Sequence, residues 1–380
     1  MLVRTTLVAA TAVALTVTLA APSLAAADSH ADDHSATRTA VRAAVTAGIP
    51  GVTATARDGH DTWSTTAGVG NLRTGSPRSA DDRYRVGSIT KTFVATVMLQ
   101  LEAEGRLSLD DTVDTWLPDL VRGHGHDGRR ITLRQLLNHT SGIYEYLGDP
   151  AFYRAYFLAD GFFQHRYDTR TPRQLVATAM AYGPEFAPGT SWSYSNTNYV
   201  IAGMVIEKAT GHTFGEEISR RIIKPLRLKA TSVPGTSPTV PSPSSRAYSK
   251  LAETTEGRTY DVTYLNPSIA SSAGEMISSS ADLNRFTSAL LKGELLPPKQ
   301  LKEMKTTVKV DGVPNVSYGL GLMDRTLSCG VHVWGHDGGI HGSSSSVTTT
   351  AGGRHSLSVN FNGDWTGDMD KVIEGEYCGK

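Results

Sequence analysis

Strand patterning stands at both ends of this chain, and helix patterning fills its middle. Residues 52–57 and 62–67 are β-like runs separated by Asp58-Gly59, a hairpin-turn pair. Near the other end, residues 330–334, 343–350 and 355–362 read as strands, with a Gly-rich turn at 351–354 and a closing helix at 369–377. Between them, residues 90–104 are apolar on most faces and stop at Gly105, which marks a buried helix. Further helices are expected at 37–47, 133–138, 172–182, 198–210, 214–226 and 281–291, and the Pro/Ser-rich stretch 233–245 reads as an exposed connection. A chain so arranged closes economically in one way. It forms an α/β (α+β) fold with an antiparallel sheet from both chain ends, flanked by helices, and an inserted mostly helical domain. The expected parts are a signal peptide at 1–27, a first α/β part at 28–104, a mostly helical domain at 105–267 and a second α/β part at 268–380.

Charge and the N-terminus bound the compartment. Lys+Arg and Asp+Glu both number 37, so no basic excess points to nucleic acid. Arg4 followed by 15 apolar residues at 7–21, with small residues at Ser23, Ala25 and Ala27, has the form of an export signal cleaved within 25–28. An uncleaved anchor is the alternative, disfavoured by the short span. Without Arg4 the mature chain carries 36 basic and 37 acidic residues, a net charge of −1. No second apolar stretch follows, so a secreted product free of the membrane is expected, as a monomer. In an oxidising compartment Cys329 and Cys378 would form the single possible intramolecular disulfide, with two reduced buried thiols as the alternative. Neither has a metal-ligand neighbour in sequence. His30, Asp32, Asp33 and His34 contain chelating groups but read first as a solvated terminus. Neither a metal nor a cofactor is expected.

The chemistry points to hydrolysis. The chain lacks G-x-S-x-G and H-E-x-x-H, which disfavours nucleophile-elbow hydrolases and the common zinc proteases. Three other signals stand in order. Ser88-x-x-Lys91 opens the buried helix, where the i,i+3 spacing puts hydroxyl and amine on one face. The helix N-terminus favours developing negative charge, and burial favours a neutral lysine. Tyr194-x-Asn196 lies in a polar loop, where a phenol can shuttle a proton and an amide can bind a substrate carbonyl, although Asn196 would also serve as a helix cap. His336-Asp337-Gly338 follows a strand, where glycine allows close backbone approach. Each has an ordinary structural explanation alone; the ordered set of three does not.

Ser88-x-x-Lys91, Tyr194-x-Asn196 and His336-x-Gly338 resemble the three active-site motifs of the serine β-lactamase and penicillin-binding-protein superfamily. The chain is most similar to its class C-like branch and to secreted Streptomyces D-alanyl-D-alanine carboxypeptidases. Residues 83–93, 107–111, 131–142 and 272–276, and the ending at 377–380 with Cys329, carry the rest of the likeness. The resemblance implies Ser88 as acylating nucleophile, Lys91 as proton acceptor or relay, and Tyr194 as proton donor to the leaving amine. It implies Asn196 as substrate-amide ligand, and the backbone N–H groups of Ser88 and Gly339 as the oxyanion hole. His336 counts with the catalytic set, and Asp337, Gly338 and Gly339 with the substrate-binding set.

Some positions depart from the carboxypeptidase pattern. Asp337 stands where those enzymes carry Thr, Gly339 and Met323 offer no group for a substrate carboxylate, and Ile269 replaces an aromatic wall. Arg325 is the nearest substitute cation. If Asp337 faces the substrate it opposes a carboxylate; if it pairs with Arg325 it does not. The expected activity is D-alanyl-D-alanine carboxypeptidase on small peptides, with β-lactam and ester as further substrates. An esterase or D-amino-acid amidase or aminopeptidase is the alternative within the superfamily. An inactive β-lactam- or cell-wall-binding module is the alternative outside enzymes.

Overall fold

The computed structural model describes residues 34–379. The signal-peptide segment and His30, Asp32 and Asp33 lie outside the described residues. The largest sheet has eight strands: β1 Gly51–Asp58, β2 Asp61–Gly68, β3 Val308–Lys309, β4 Val316–Tyr318, β5 Met323–Thr326, β6 His332–Ile340, β7 Ser343–Thr350 and β8 His355–Phe361. Their order is β2-β1-β8-β7-β6-β5-β4-β3, with every pair antiparallel. The β1–β8 pair, in register from Val52↔Phe361 to Asp58↔His355, joins the two ends of the chain. That is the sheet the sequence calls for. Gly59 at φ +59° allows the two-residue turn from β1 to β2.

Helices cover both faces. Helices α1 Ser35–Thr46 and, at the far end, Met369–Tyr377 place Val41, Val372 and Ile373 on Val52, Ala54, Leu357 and Val359. On the other face α2 Thr90–Ala103 is buried on all sides, and its Phe93 stacks on Phe286. The inserted half supplies α3 Leu133–Leu137, α4 Pro172–Met180 and α5 Asn196–Thr210. The chain then returns through α6 Ser280–Leu291, which carries Phe286, and ends with Met369–Tyr377 as α7. Among the described residues no helix is long and apolar enough to cross a membrane.

Two expected elements differ. The helix expected over 214–226 is broken into Phe214–Ile218, a π turn Ser219–Ile223 and Lys224–Leu226. Pro225 has no N–H to give to the carbonyl four residues back, so the regular ladder fails there. Strand β6 runs on to Ile340 through Gly338-Gly339, which carry no strand signal; pairing with β7 as far as Ile340↔Ser343 holds them extended. Cys329, in the β5–β6 turn, and Cys378, just after α7, form a disulfide with Cα atoms 5.7 Å apart.

Candidate active site

Ser88 sits in a single 3₁₀ turn, Gly87–Ile89, that runs directly into α2. The turn lies hard against β6. A Cβ on Gly87, at φ +53°, would come within 2.7 Å of the Gly339 nitrogen, and a Cβ on Gly338 within 1.9 Å of the Val86 oxygen. Glycines at both positions let the Ser88 turn and the strand touch through backbone alone. One turn on from Ser88, at the second position of α2, Lys91 is fully buried. Its Nζ reaches Ser88 Oγ at 2.9 Å, Asn196 Oδ1 at 2.7 Å and the Ala273 carbonyl at 2.8 Å. Burial lowers Lys91 to about 7, against the opposing pull of the Glu145 charge.

These three bonds decide what Lys91 can do. A carbonyl and an amide oxygen only accept, so two N–H groups of Lys91 are fixed on Ala273 and Asn196. The third position faces Ser88. It is an N–H in the ammonium and a lone pair in the free amine, and in the free amine it can accept a proton from Ser88.

The Tyr194 phenol lies close enough to the Ser88 side chain to feel it electrostatically, and its ring lies 4.8 Å from Lys91 Nζ. Burial pushes its phenol well above the ordinary range, and the Glu145 and Asp337 charges push it the same way, so it serves as a neutral hydroxyl. Asn196 opens α5 rather than capping it, and Ser195 at the cap makes no side-chain cap bond. The Asn196 amide is held instead between Lys91 and Glu145, with Nδ2 3.0 Å from Glu145 Oε2.

On β6, alternation puts Trp334, His336 and Gly338 on one face and Val333, Asp337 and Gly339 on the other. His336 is buried, with Nδ1 2.5 Å from its neighbour's carbonyl, Asp337 O, and Nε2 2.8 Å from the Tyr318 hydroxyl. The carbonyl only accepts, so Nδ1 carries the proton and the Tyr318 hydroxyl donates to Nε2. Burial, then the Lys91 charge, lowers this imidazole to about 4. Both nitrogens are thus engaged within the protein, on the backbone of β6 and on Tyr318. Asp337 pairs with Arg325 at 2.6 Å, and Arg325 also bonds Asp370 at 2.9 Å. Neither the carboxylate nor the guanidinium faces the cleft unpartnered, so the substrate-facing reading of Asp337 gives way to the ion-paired one. Gly339 borders open space, since a Cβ there would meet nothing within 4 Å. Ile269, in a buried turn, offers its carbonyl to the Tyr146 hydroxyl at 2.6 Å.

Sequence reasoning missed four contributors. Glu145, in the loop after α3, has no periodic signal. His139 is buried under the Tyr194 ring, 4.4 Å between centroids, with Nδ1 accepting from the Ser195 N–H. Tyr318 is recognisable only once β4 lies near β6, and the Ala273 carbonyl is a backbone group inside a quoted motif.

A family profile described as Beta-lactamase matches residues 37–371. The chain belongs to the beta-lactamase family. Its members are serine hydrolases, and this chain has their fold. It is 61% identical to a D-stereospecific amidohydrolase from Streptomyces sp., with a TM-score of 0.87 over 91% of this chain and 99% of that one. It is 28% identical to the D-amino acid amidase from Ochrobactrum anthropi SV3 complexed with L-phenylalanine amide, with a TM-score of 0.77 over 90% of this chain and 98% of that one. Penicillin-binding protein 4* of Bacillus subtilis (strain 168) is 26% identical over 312 residues, 78% of this chain; the chain covers 64% of that relative's length.

Proposed function

We propose that this protein hydrolyses amides of small D-amino acids, and the corresponding esters, through an acyl-enzyme on Ser88. The observation that carries this reading is the buried Lys91, with two N–H groups fixed on acceptors and its remaining position aimed at Ser88 Oγ. The free amine takes the Ser88 proton as Oγ bonds to the substrate carbonyl carbon. The N–H groups of Ser88 and Gly339 receive the oxyanion. Tyr194 passes the proton to the leaving nitrogen as the C–N bond breaks, and water then releases the acid by the same route in reverse.

The amide reading is supported by likeness to the two amide hydrolases and by the Arg325–Asp337 pair, which leaves no free guanidinium there for a C-terminal carboxylate. A cavity of about 380 Å³ beside Gly339, lined by Tyr153, Phe157 and Trp365 and also by Lys250, Glu253 and Asp364, offers room for a substrate side chain. We place the enzyme outside the cell, on the signal-like segment at 1–27.

The test presents D-phenylalanine amide, L-phenylalanine amide, diacetyl-Lys-D-Ala-D-Ala and a fluorescent penicillin to the purified protein, with intact mass reading the adduct. Turnover should be fastest on the D-amide, with the acyl group on Ser88. Faster turnover of the tripeptide would restore the carboxypeptidase reading, which the likeness to penicillin-binding protein 4* keeps as the second choice.

A further inference from the structure

The amide of Asn196 faces two ways, and what fixes its direction lies outside the three motifs. Glu145 is the N-cap of a short turn, Tyr146–Gly148, whose Leu147 N–H donates to Oε1 at 2.9 Å. Its Oε2 accepts from the Asn196 backbone N–H and from Asn196 Nδ2. A carboxylate has no proton to give, so only the NH₂ end of the Asn196 amide can face it. The oxygen end must then face Lys91, where it accepts at 2.7 Å. Reversing that amide would set N–H against N–H at the base and oxygen against oxygen at the carboxylate.

We propose that Glu145 is the positioning residue of the acylation base. It locks the Asn196 amide with its oxygen toward Lys91, and its buried carboxylate stands on the far side of that amide as a counter-charge to the ammonium. This inference rests on the acyl-enzyme reading above and goes further, naming the group behind the base.

The surroundings of Lys91 leave Glu145 this part. The Tyr194 and Tyr199 rings lie 4.8 Å and 5.6 Å from Nζ, and both phenols are kept neutral by burial. His139 and His336 also feel the Lys91 charge, and burial keeps both imidazoles uncharged. Glu145 is the carboxylate that opposes the loss of charge at Lys91. Burial raises the Glu145 carboxyl, while three N–H donors and Lys91 pull it back toward the anion.

The experiment compares parent, Glu145→Gln and Glu145→Asp by pH profiles of kcat/KM on p-nitrophenyl butyrate, which has no amine, and on D-phenylalanine amide. Acylation needs Lys91 unprotonated, so activity rises with pH through its titration. Gln keeps an acceptor for Asn196 but removes the charge that favours the ammonium. The rising limb should therefore move to lower pH by about one unit, on both substrates. Asp keeps the charge but withdraws the oxygen from Asn196. Its limb should move less than that of Gln while its plateau falls at least about tenfold. A limb that stays in place in Glu145→Gln overturns the proposal. So does a loss confined to the amine-bearing substrate, which would make Glu145 a substrate contact instead. Should the Gln variant not fold, an Asp variant with the parent's plateau overturns it equally. Absence of a Ser88 adduct in the parent overturns the acyl-enzyme reading itself, a result visible before any variant is made.

Discussion

At the scale of single residues, the geometry of the site removes freedom from Lys91. A solvated lysine is protonated at neutral pH and useless as a base, and burial alone would strand an amine without direction. Here burial lowers Lys91 to about 7, and the acceptors at Ala273 and Asn196 turn its lone pair to Ser88. The activity on a neutral ester should therefore rise through a limb near pH 7, since only the unprotonated amine accepts the serine proton. Lys91→Met should lower kcat by roughly 10²–10⁴-fold, the usual worth of a general base. A pH profile of the parent, and single-turnover rates of the variant, check the two statements; a limb near pH 4 would point to a carboxylate base instead. Ser88 and Lys91 were legible because an i,i+3 pair at the head of an apolar helix is a local pattern. Asn196 was legible as a residue, but its orientation was not. That orientation comes from Glu145, which lies 51 residues away in sequence and meets Asn196 only after the inserted half has folded. Asp337 was visible as a departure from the family pattern. Its partner Arg325 was named, but which of them met the other depended on the β5–β6 register, with Arg325 opposite Val333.

At the scale of elements, the Ser88 turn and β6 pack backbone against backbone because Gly87 and Gly338 carry no side chains where they meet. The sequence showed the glycine of the third motif but not the length of the strand, since Gly-Gly has no strand preference and only pairing with β7 extends it. Two adjacent glycines should then respond differently. An alanine at Gly338 would press its methyl to 1.9 Å from the Val86 oxygen and 3.0 Å from the Ser88 nitrogen. Backbone must move, which costs about 1–3 kcal/mol and misplaces the nucleophile. Gly338→Ala should lower kcat/KM by about a hundredfold or more and reduce the melting temperature. Gly339→Ala meets nothing within 4 Å and should melt with the parent. Thermal melts of both variants test this; equal losses of stability would refute the contact.

At the scale of the whole molecule, the fold closes by bringing its two ends together, and α7 is the piece that locks them. The antiparallel sheet was readable because strand runs stood at both ends of the sequence, whereas the lock is built from long-range pairs with no local pattern. The disulfide ties α7 to the β5–β6 turn, next to the Ser328–Glu374 bond at 2.7 Å. Removing it with Cys378→Ser releases a loop spanning 49 positions and should lower unfolding free energy by about 4 kcal/mol, read by urea titration. Glu376 supplies a second lock that depends on pH. Its carboxylate is buried and bonded to His34 at 3.0 Å, Thr37 at 2.8 Å and His355 at 2.8 Å, joining α1, α7 and β8. Burial alone would raise this carboxyl, but the bonds from His355, His34 and Thr37 outweigh it and hold it below its ordinary 4.5. A carboxyl lowered in the folded state stabilises above its unfolded value and loses that contribution as pH falls through the folded one. Glu376→Gln should therefore cost about 2 kcal/mol at pH 7, and the gap from the parent should narrow as pH drops below about 4.5. Urea unfolding of both proteins at pH 7 and pH 3.5 measures the two gaps. A gap of equal size at both pH values would show that Glu376 acts there through packing and not through its charge.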